Sequence, residues 1–259
     1  MGEAAAIGLE NVTKRYGAAA PALDGVSLEV RQREFLAVVG ASGSGKTTLL
    51  RLINRLAEPS EGTVRVGGAD AAGLDAIGLR RRIGYVFQEV GLFPHMTVAE
   101  NMAITPRLLG WDVARRAERV AELLELVRLP ADCGGRFPGQ LSGGERQRVG
   151  VARALAARPE IVLMDEPFAA LDPPTRDALG RDYRALHEAL GLTTVMITHD
   201  MLEALGLADR IAVLRAGAVI AHGAPRELIG HPHAYVREMM QTPRRVAERV
   251  SALLAAREG

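Results

Sequence analysis

Residues Gly40-Ala-Ser-Gly-Ser-Gly45-Lys46-Thr47 match the pattern Gly-x-x-x-x-Gly-Lys-Ser/Thr. The continuous apolar run Phe35–Val39 stands directly before them and is typical of a strand buried on both faces of a sheet. The residues that follow predict a helix from Lys46 to Leu56. A buried strand, a glycine-rich turn and a helix in this order predict a loop that binds phosphate groups.

Each residue type in this loop has a chemical reason. Glycines allow backbone N–H groups to face phosphate oxygens, and the start of the helix adds partial positive charge. Lys46 supplies a compact charge between the β- and γ-phosphates, and Thr47 offers a hydroxyl ligand to Mg²⁺. The predicted nucleotide-binding residues of the loop are Gly40, Ala41, Ser42, Gly43, Ser44, Gly45, Lys46, Thr47 and Thr48.

Two adjacent acids follow a second apolar run, Ile161–Met164. At the carboxyl end of a strand in a parallel sheet, Asp165 and Glu166 would stand in the crevice where ligands bind. Asp165 is the predicted Mg²⁺ ligand, directly or through water, and Glu166 the general base that accepts a proton from the attacking water. An ordinary polar strand end is the alternative, and the phosphate loop favours the catalytic interpretation.

The segment Leu141-Ser-Gly-Gly-Glu145 opens another predicted helix. Ser142 and Glu145 have the spacing of a capping box, which is a purely structural explanation for both. It does not explain Gly143 and Gly144, each of which weakens a helix start by up to about 1 kcal/mol relative to alanine. That cost makes sense where a ligand approaches the backbone, so we predict an anionic ligand here.

The whole sequence predicts an α/β protein with a mixed sheet. Ile7–Val12 and Val26–Val30 alternate apolar and polar residues, as half-exposed antiparallel strands do. From Glu89 to Arg158 the pattern is helical, after which strands and helices alternate again. We expect four segments: a first part of the nucleotide-binding core with an antiparallel β subdomain (1–88), a helical subdomain (89–157), the second part of the core (158–229) and a short helical tail (230–259).

Composition excludes several classes of protein. Hydrophobic residues make up 48% and charged residues 24%, which is typical of a globular chain and not of a disordered or fibrous one. The formal net charge of +1 gives no field that attracts nucleic acid, so no nucleic-acid partner is expected. No window holds the run of about 18 apolar residues that a spanning helix needs, and Cys133, the single cysteine, cannot form an internal disulfide.

A series of short motifs, in this order and spacing, resembles the ATP-binding subunits of ATP-binding cassette (ABC) transporters: Gly40–Thr47, Gln88, Leu141–Glu145, Met164–Pro167, Leu171-Asp172 and His199. The resemblance extends from Ile7 to about Met240. It implies a P-loop NTPase fold, the ABC cassette, with a mixed sheet, an antiparallel β subdomain and an inserted helical subdomain. It also implies Mg²⁺-dependent hydrolysis of ATP.

The resemblance implies that two copies of the chain share each nucleotide. In that family Ser142, Gly143 and Gly144 of one subunit contact the γ-phosphate held by the phosphate loop of the other, so a homodimer holds two ATP molecules. Glu145 ends this motif where the family more often has glutamine. Asp172 resembles the loop residue that crosses the dimer interface.

Three further residues receive roles from the resemblance. Gln88 resembles the residue that senses Mg²⁺ and the attacking water while it hinges the helical insert. His199 resembles the switch histidine that touches the γ-phosphate and steadies Glu166, and a helix start capped through Asp200 is a compatible structural explanation. Tyr16 resembles the aromatic residue that stacks on adenine, and plain packing is its alternative.

A single cassette without membrane spans is similar to importers, in which transmembrane permease subunits form the pathway and a substrate-binding protein delivers cargo. The stretch from Gly91 to Trp111, with Ile53-Asn-Arg-Leu56 upstream, resembles the group that takes up glycine betaine, choline or carnitine for osmoprotection. This implies a peripheral subunit at the cytoplasmic face of the membrane. Because the sequence ends at Gly259, we expect no gating through the paired sensor domains that several relatives carry.

Other functions remain open at this point. The cargo of such an importer could be another small solute. A soluble ABC ATPase is a second alternative, although such proteins usually carry long coiled-coil inserts or two fused cassettes. A P-loop small-molecule kinase is a third, and it predicts a phosphorylated product, activity as a monomer and no use for Ser142–Gly144.

Overall fold

The computed structural model describes residues 5–17 and 20–255. The strands are β1 (Ala5–Lys14), β2 (Leu23–Arg31), β3 (Phe35–Val39), β4 (Glu61–Val66), β5 (Ala69–Asp70), β6 (Ile83–Val86), β7 (Ile161–Asp165), β8 (Thr193–Thr198), β9 (Arg210–Arg215) and β10 (Ala218–Gly223). The α-helices are α1 (Lys46–Ile53), α2 (Ala76–Arg82), α3 (Val98–Leu108), α4 (Val113–Leu126), α5 (Gly143–Leu155), α6 (Pro173–Leu190), α7 (Met201–Leu207), α8 (Pro225–Leu228) and α9 (Ala234–Ala255).

Strand β3 lies inside a six-stranded sheet of order β10-β9-β3-β8-β7-β6, and all its residues are buried. Strands β9, β3, β8, β7 and β6 pair in parallel, whereas β10 pairs antiparallel with β9. Since carboxyl ends of parallel strands meet at one edge of a sheet, the loop after Val39 and the acids after Met164 share an edge. The predicted mixed sheet is confirmed.

A second sheet has the order β2-β1-β4-β5 and is antiparallel throughout. Its buried side chains form one apolar core with those of α1, β3 and β8, for example Ile7, Leu28, Leu49 and Val195. Helix α1 therefore packs against both sheets, and this fixes the direction in which the phosphate loop enters it. The antiparallel unit predicted near the N-terminus is confirmed.

Three helices, α3, α4 and α5, lie between β6 and β7 in the chain, as the helical pattern predicted. They pack on one another through buried residues such as Met102, Leu123 and Val149. Helix α3 begins with a capping box in which Thr97 Oγ1 accepts a hydrogen bond from Glu100 N at 3.2 Å. Helix α5 begins at Gly143 with the same arrangement.

Some helix boundaries differ from the sequence prediction. Helix α1 ends at Ile53 instead of Leu56, because Asn54 caps it and Arg55 adopts a left-handed φ of 54°. Helix α2 was not predicted; Asp75 accepts hydrogen bonds from the N–H groups of Ile77 and Gly78 at its start. The arginines at the end of α2 lie where positive charge favours a helix C-terminus.

Helix α9 runs for 22 residues, from Ala234 to Ala255, inside the segment 230–259 for which a helical tail was predicted. Its first turns are anchored because Val236 and Met240 are buried in the core. The last residues of the predicted tail, 256–259, lie outside the described residues. Within the described ranges, no helix combines the length and the apolar character required to cross a bilayer.

Candidate active site

The phosphate loop follows a path that only glycine permits at two positions. Gly45 has a φ of 106°, and a Cβ atom there would lie 2.3 Å from the carbonyl oxygen of Ala22. At Gly40 an added Cβ would lie 2.2 Å from the carbonyl oxygen of Leu214. Any larger residue would push the loop away from β9 or from the start of β2, so these glycines set its shape.

Lys46 is buried beneath the loop, and its Nζ donates hydrogen bonds to the carbonyl oxygens of Gly40 at 2.8 Å and Ala41 at 3.0 Å. An ammonium group has three donors, so one remains for a ligand. Burial lowers the pKa of Lys46, while the charges of Glu166 and Asp165 oppose that shift. Gly45 gives helix α1 no side-chain cap. A cation and uncapped N–H groups therefore converge where a phosphate fits.

The predicted Mg²⁺ ligands Thr47 and Asp165 are brought together by the fold, with Thr47 Oγ1 lying 3.3 Å from Asp165 Oδ1. Burial raises the pKa of Asp165, and the hydrogen bond from Thr47 opposes that shift. A half-buried carboxylate beside a hydroxyl is the oxygen donor set that Mg²⁺ prefers, with water and phosphate as further ligands. The residues present fit this ion.

Glu166 and His199 also meet as predicted, since His199 Nδ1 lies 2.9 Å from Glu166 Oε2. Glu166 has a left-handed φ of 45°, and its N–H donates to the carbonyl oxygen of Ile197 at 3.0 Å. The backbone therefore turns sharply at the carboxylate and is tied to β8, which leads into His199. Asp200 Oδ1 caps α7 by accepting from Leu202 N at 2.8 Å, so the structural role foreseen there coexists with the contact to Glu166.

Gln88 lies in an exposed turn just beyond β6. Val86 is paired with Met164 in the sheet, so Gln88 extends towards the edge that holds Glu166. In the described part of the chain, its side-chain amide makes no hydrogen bond. The residue is therefore placed near the acids without being held by them.

The Ser142–Glu145 segment forms the capping box foreseen as its structural explanation. Ser142 Oγ accepts from Glu145 N at 3.2 Å, and Glu145 Oε2 accepts from Ser142 N at 2.8 Å. These bonds lower the pKa of Glu145. An added Cβ on Gly144 would lie 3.0 Å from Thr175 Cγ2, so close packing on α6 also favours that glycine. Gly143 is exposed and has only ordinary contact distances around it.

The next two predicted site residues, Asp172 and Tyr16, are both exposed. Asp172 is exposed and caps α6, with its Oδ1 accepting from Thr175 N at 3.1 Å. Tyr16 is 48% exposed, and Lys14 Nζ lies 5.0 Å from the centre of its ring. The ring of Tyr16 is thus no part of the buried core.

A family model described as ABC transporter matches residues 23–169 of the chain. The chain belongs to the ABC transporter family. Its helices and sheets match those of a dimeric ATP-binding cassette, MJ0796, solved in a post-hydrolysis state bound to ADP and Pi. The two chains are 36% identical with a TM-score of 0.75, and the match covers 84% of this chain and 98% of that one.

Similar curated proteins include ATP-binding subunits from Bacillus subtilis (strain 168). The choline transport ATP-binding protein OpuBA is 48% identical over 224 residues, which is 86% of this chain and 59% of that protein. The glycine betaine/carnitine/choline transport ATP-binding protein OpuCA is 46% identical over 242 residues, which is 93% of this chain and 64% of that protein. The chain thus spans about three-fifths of the length of these relatives.

The predicted fold class, an ABC cassette, is confirmed by these matches. Membership of the ABC transporter family argues against the small-molecule kinase considered as an alternative. Among the described residues, Ser142 and Glu145 make hydrogen bonds to each other, and Glu145 forms an ion pair with Arg136. None of these contacts reaches the phosphate loop Gly40–Thr48 of the same chain.

Tyr85 is a residue of the ABC cassette site that sequence reasoning missed. Burial, and after it the negative charge of Asp165, raise the pKa of Tyr85, so its hydroxyl lies close enough to that carboxylate to interact with it. The phenol therefore stays neutral and can orient the carboxylate. Tyr85 pairs with Leu163 across β6 and β7, so it shares a sheet face with Asp165 two residues further on. The pairing of β6 with β7 is the signal that would have identified Tyr85 as a neighbour of Asp165.

Proposed function

We propose that this chain is the ATP-hydrolysing motor subunit of an importer for glycine betaine, choline, carnitine or a related quaternary amine. The observation that carries the catalytic part is the 2.9 Å contact between His199 Nδ1 and Glu166 Oε2, at the sheet edge that also holds Lys46 and Asp165. The substrate class is supported by the names of the relatives OpuBA and OpuCA.

The phosphate loop fits ATP because it offers the positive charge of Lys46 and a series of backbone N–H groups. The phosphates would accept hydrogen bonds from N–H groups between Gly40 and Thr48, and the free N–H of Lys46 would contact the β- and γ-phosphates. The ring of Tyr16, which is exposed, would stack on the adenine. Glycine at positions 40 and 45 keeps the loop close to the sheet, so that these donors point to one centre.

Thr47, Asp165 and Gln88 would hold Mg²⁺, directly or through water. When bound, the ion supplies positive charge that neutralises the phosphate oxygens. The hydrogen bond from Thr47 would orient Asp165 for this, with the Tyr85 hydroxyl near the same carboxylate. Gln88 lies on an exposed turn and is free to approach as the helical segment moves.

Glu166 would take the proton of the attacking water, a role that contributes about 10²- to 10⁴-fold to a rate. When His199 donates its Nδ1–H to Oε2 of Glu166, the other carboxylate oxygen stays available as the base. The remaining ring nitrogen of His199 is then available to the γ-phosphate. Through His199, the base Glu166 would thus be linked to the γ-phosphate whose hydrolysis it assists.

A second copy of the chain would complete each site. Ser142, Gly143, Gly144, Glu145 and Asp172 are at least partly exposed and have no bond to their own phosphate loop. The matched cassette is dimeric, which supports the same arrangement here. The start of α5 would then bring its backbone N–H groups to the γ-phosphate held by the partner.

The permease subunits would bind in a groove between the helical segment and the core sheet. This groove has a volume of about 360 Å³, and its lining includes Phe87, Phe93, Ile104 and Arg153. Its lining residues include Phe87, directly before Gln88, and Gly91, three residues after it. Movement of a bound permease would therefore reach Gln88 and the nucleotide site. The chain would lie peripherally at the cytoplasmic face of the membrane, and a substrate-binding protein would act through the permease.

Closure would move segment 89–157 relative to the core formed by 1–88 and 158–229. ATP drives this step to the extent that the closed dimer binds it more tightly than the open one. An importer for another small solute is the second candidate, since no residue of the cassette would touch the cargo.

Uptake of radiolabelled glycine betaine at high salt tests the proposal. Cells that lack this chain should lose uptake, and re-expression of the wild-type chain, but not of Glu166→Gln, should restore it. Restored uptake by the Gln variant would contradict the role of ATP hydrolysis. Unchanged uptake in cells without the chain would remove the quaternary-amine assignment and leave the second candidate.

A further inference from the structure

The side chain of Arg176, in the first turns of α6, bridges two loops of the catalytic centre. Its Nη1 donates to Asp200 Oδ2 at 3.0 Å, and its Nη2 donates to the carbonyl oxygens of Leu171 at 3.1 Å and Ala169 at 3.4 Å. The side chain is only 26% exposed. A guanidinium that donates to several acceptors and has little conformational freedom holds those acceptors at fixed positions, and we call this arrangement the Arg176 bracket.

One side of the bracket is the chain segment that follows the predicted base. Ala169 N donates to the carbonyl oxygen of Glu166 at 3.3 Å, and the segment continues to the interface residue Asp172. The other side is Asp200, the residue directly after His199. Since His199 Nδ1 contacts Glu166 Oε2, the bonds form a closed ring through Glu166, His199, Asp200 and Arg176.

The two oxygens of Asp200 have separate tasks. Oδ1 caps α7, while Oδ2 accepts from Arg176. The N–H of Asp200 donates to the buried Thr198 Oγ1 at 3.0 Å, so the backbone there is anchored to the end of β8. Removal of the Arg176 contact would therefore leave the cap of α7 in place and release only the link to the segment after Glu166.

We propose that Arg176 is a positioning residue for the Glu166–His199 pair, which it sets by tying the Ala169–Leu171 segment to Asp200. The inference rests on the proposed ATP hydrolysis and adds to it a residue that touches neither nucleotide nor metal. Arginine suits this place because its planar fork reaches three acceptors. A lysine ammonium is a point charge and holds fewer of them in fixed geometry.

Steady-state ATP hydrolysis by the full chain in its transporter complex tests the role. Arg176→Met should lower kcat by about ten- to a hundredfold, because small displacements of a base cost that much, and should leave the KM for ATP within about twofold. Arg176→Lys should recover part of kcat. Arg181→Met removes an exposed ion pair with Asp177 on the same helix and serves as the control, with unchanged kcat.

A double-mutant cycle separates positioning from general damage. Asp200→Asn keeps a capping oxygen but loses the charged partner, so the double variant Arg176→Met/Asp200→Asn should be no slower than Arg176→Met alone. Losses that multiply, a fall in kcat shared by Arg181→Met, or a raised KM with normal kcat would each overturn the role of Arg176. If Arg176→Met does not fold, Arg176→Lys decides, and full activity in it overturns the proposal.

Failure of the proposed function gives a different result. A wild-type complex that binds ATP and does not hydrolyse it would remove both proposals. Normal hydrolysis by the wild type together with normal kcat in Arg176→Met would overturn the positioning role alone.

Discussion

Tyr85 on β6 and Asp165 on the adjacent strand β7 lie on one face of the core sheet, because Tyr85 pairs with Leu163, and the charge of Asp165 helps burial to raise the pKa of the Tyr85 hydroxyl. Thr47 approaches the same carboxylate at 3.3 Å from the phosphate loop. Asp165 therefore has two neutral hydroxyl groups beside it, and Thr47 makes a hydrogen bond to it. A carboxylate held in this way keeps one orientation towards a cation, which links the sheet to the metal chemistry proposed for the cassette.

Tyr85→Phe should raise the Mg²⁺ concentration for half-maximal hydrolysis by about tenfold, because loss of a partner that orients a metal ligand typically costs 10- to 100-fold in affinity. The measurement is a Mg²⁺ titration of ATPase activity. Tyr183→Phe, which breaks the buried contact to Thr194, is the control and should leave this concentration unchanged. Equal effects of the two substitutions would contradict the role of Tyr85.

Glu166→Gln should reduce steady hydrolysis by about 10²-fold or more, since the amide cannot accept the proton of water. Bound ATP should persist, and the chain should dimerise more readily with ATP than the wild type does. ATPase assays and size-exclusion chromatography with and without ATP check this. A variant that remains monomeric with ATP and hydrolyses it at the wild-type rate would contradict the mechanism.

Ser142→Ala should impair hydrolysis beyond the loss of its helix cap. The cap itself contributes about 1 kcal/mol to stability. Thr97→Ala is a matched control, because Thr97 caps α3 with the same capping-box geometry. The temperature of thermal unfolding should fall by a similar amount in both variants, and both should still bind ATP. Only Ser142→Ala should lower kcat. Equal loss of activity in the two variants would mean that Ser142 is only a cap.

Gly45→Ala should abolish ATP binding and destabilise the chain, because the added methyl group would lie 2.3 Å from the carbonyl oxygen of Ala22 at a φ of 106°. Strain of this kind costs about 1–3 kcal/mol. Gly139→Ala adds a methyl group where no atom lies within 4 Å and is the control. Nucleotide titration and thermal unfolding measure the outcome, and normal ATP binding by Gly45→Ala would refute the loop geometry.

The free energy of unfolding should decrease as the pH falls below about 6.5, the ordinary pKa of histidine. Burial lowers the pKa of His187, and the charge of Arg184 lowers it further, so the folded chain resists the proton that the unfolded chain takes up. Denaturant unfolding between pH 7.5 and pH 5.5 measures the decrease. His187→Leu should remove this part of it, and parallel curves for the two proteins would contradict the assignment.

Residues close together in the chain were predicted well. The path of Gly40–Thr47, the capping box at Ser142 and the acids after Ile161–Met164 all depend on local backbone chemistry, which a short segment carries within itself. The contact between Glu166 and His199 was also foreseen, through resemblance to the ABC family. Helix ends such as Ile53 were missed because a cap and one left-handed residue outweigh a continuing apolar pattern.

Contacts between distant segments required the three-dimensional structure. Tyr85 reaches Asp165 because β6 pairs with β7, and Arg176 reaches Asp200 because α6 packs beside the end of β8. Neither pair has a spacing that marks it in a single sequence. Local patterns encode strands, turns and caps through backbone geometry, whereas the partner of a side chain far along the chain is set by how the sheets and helices pack.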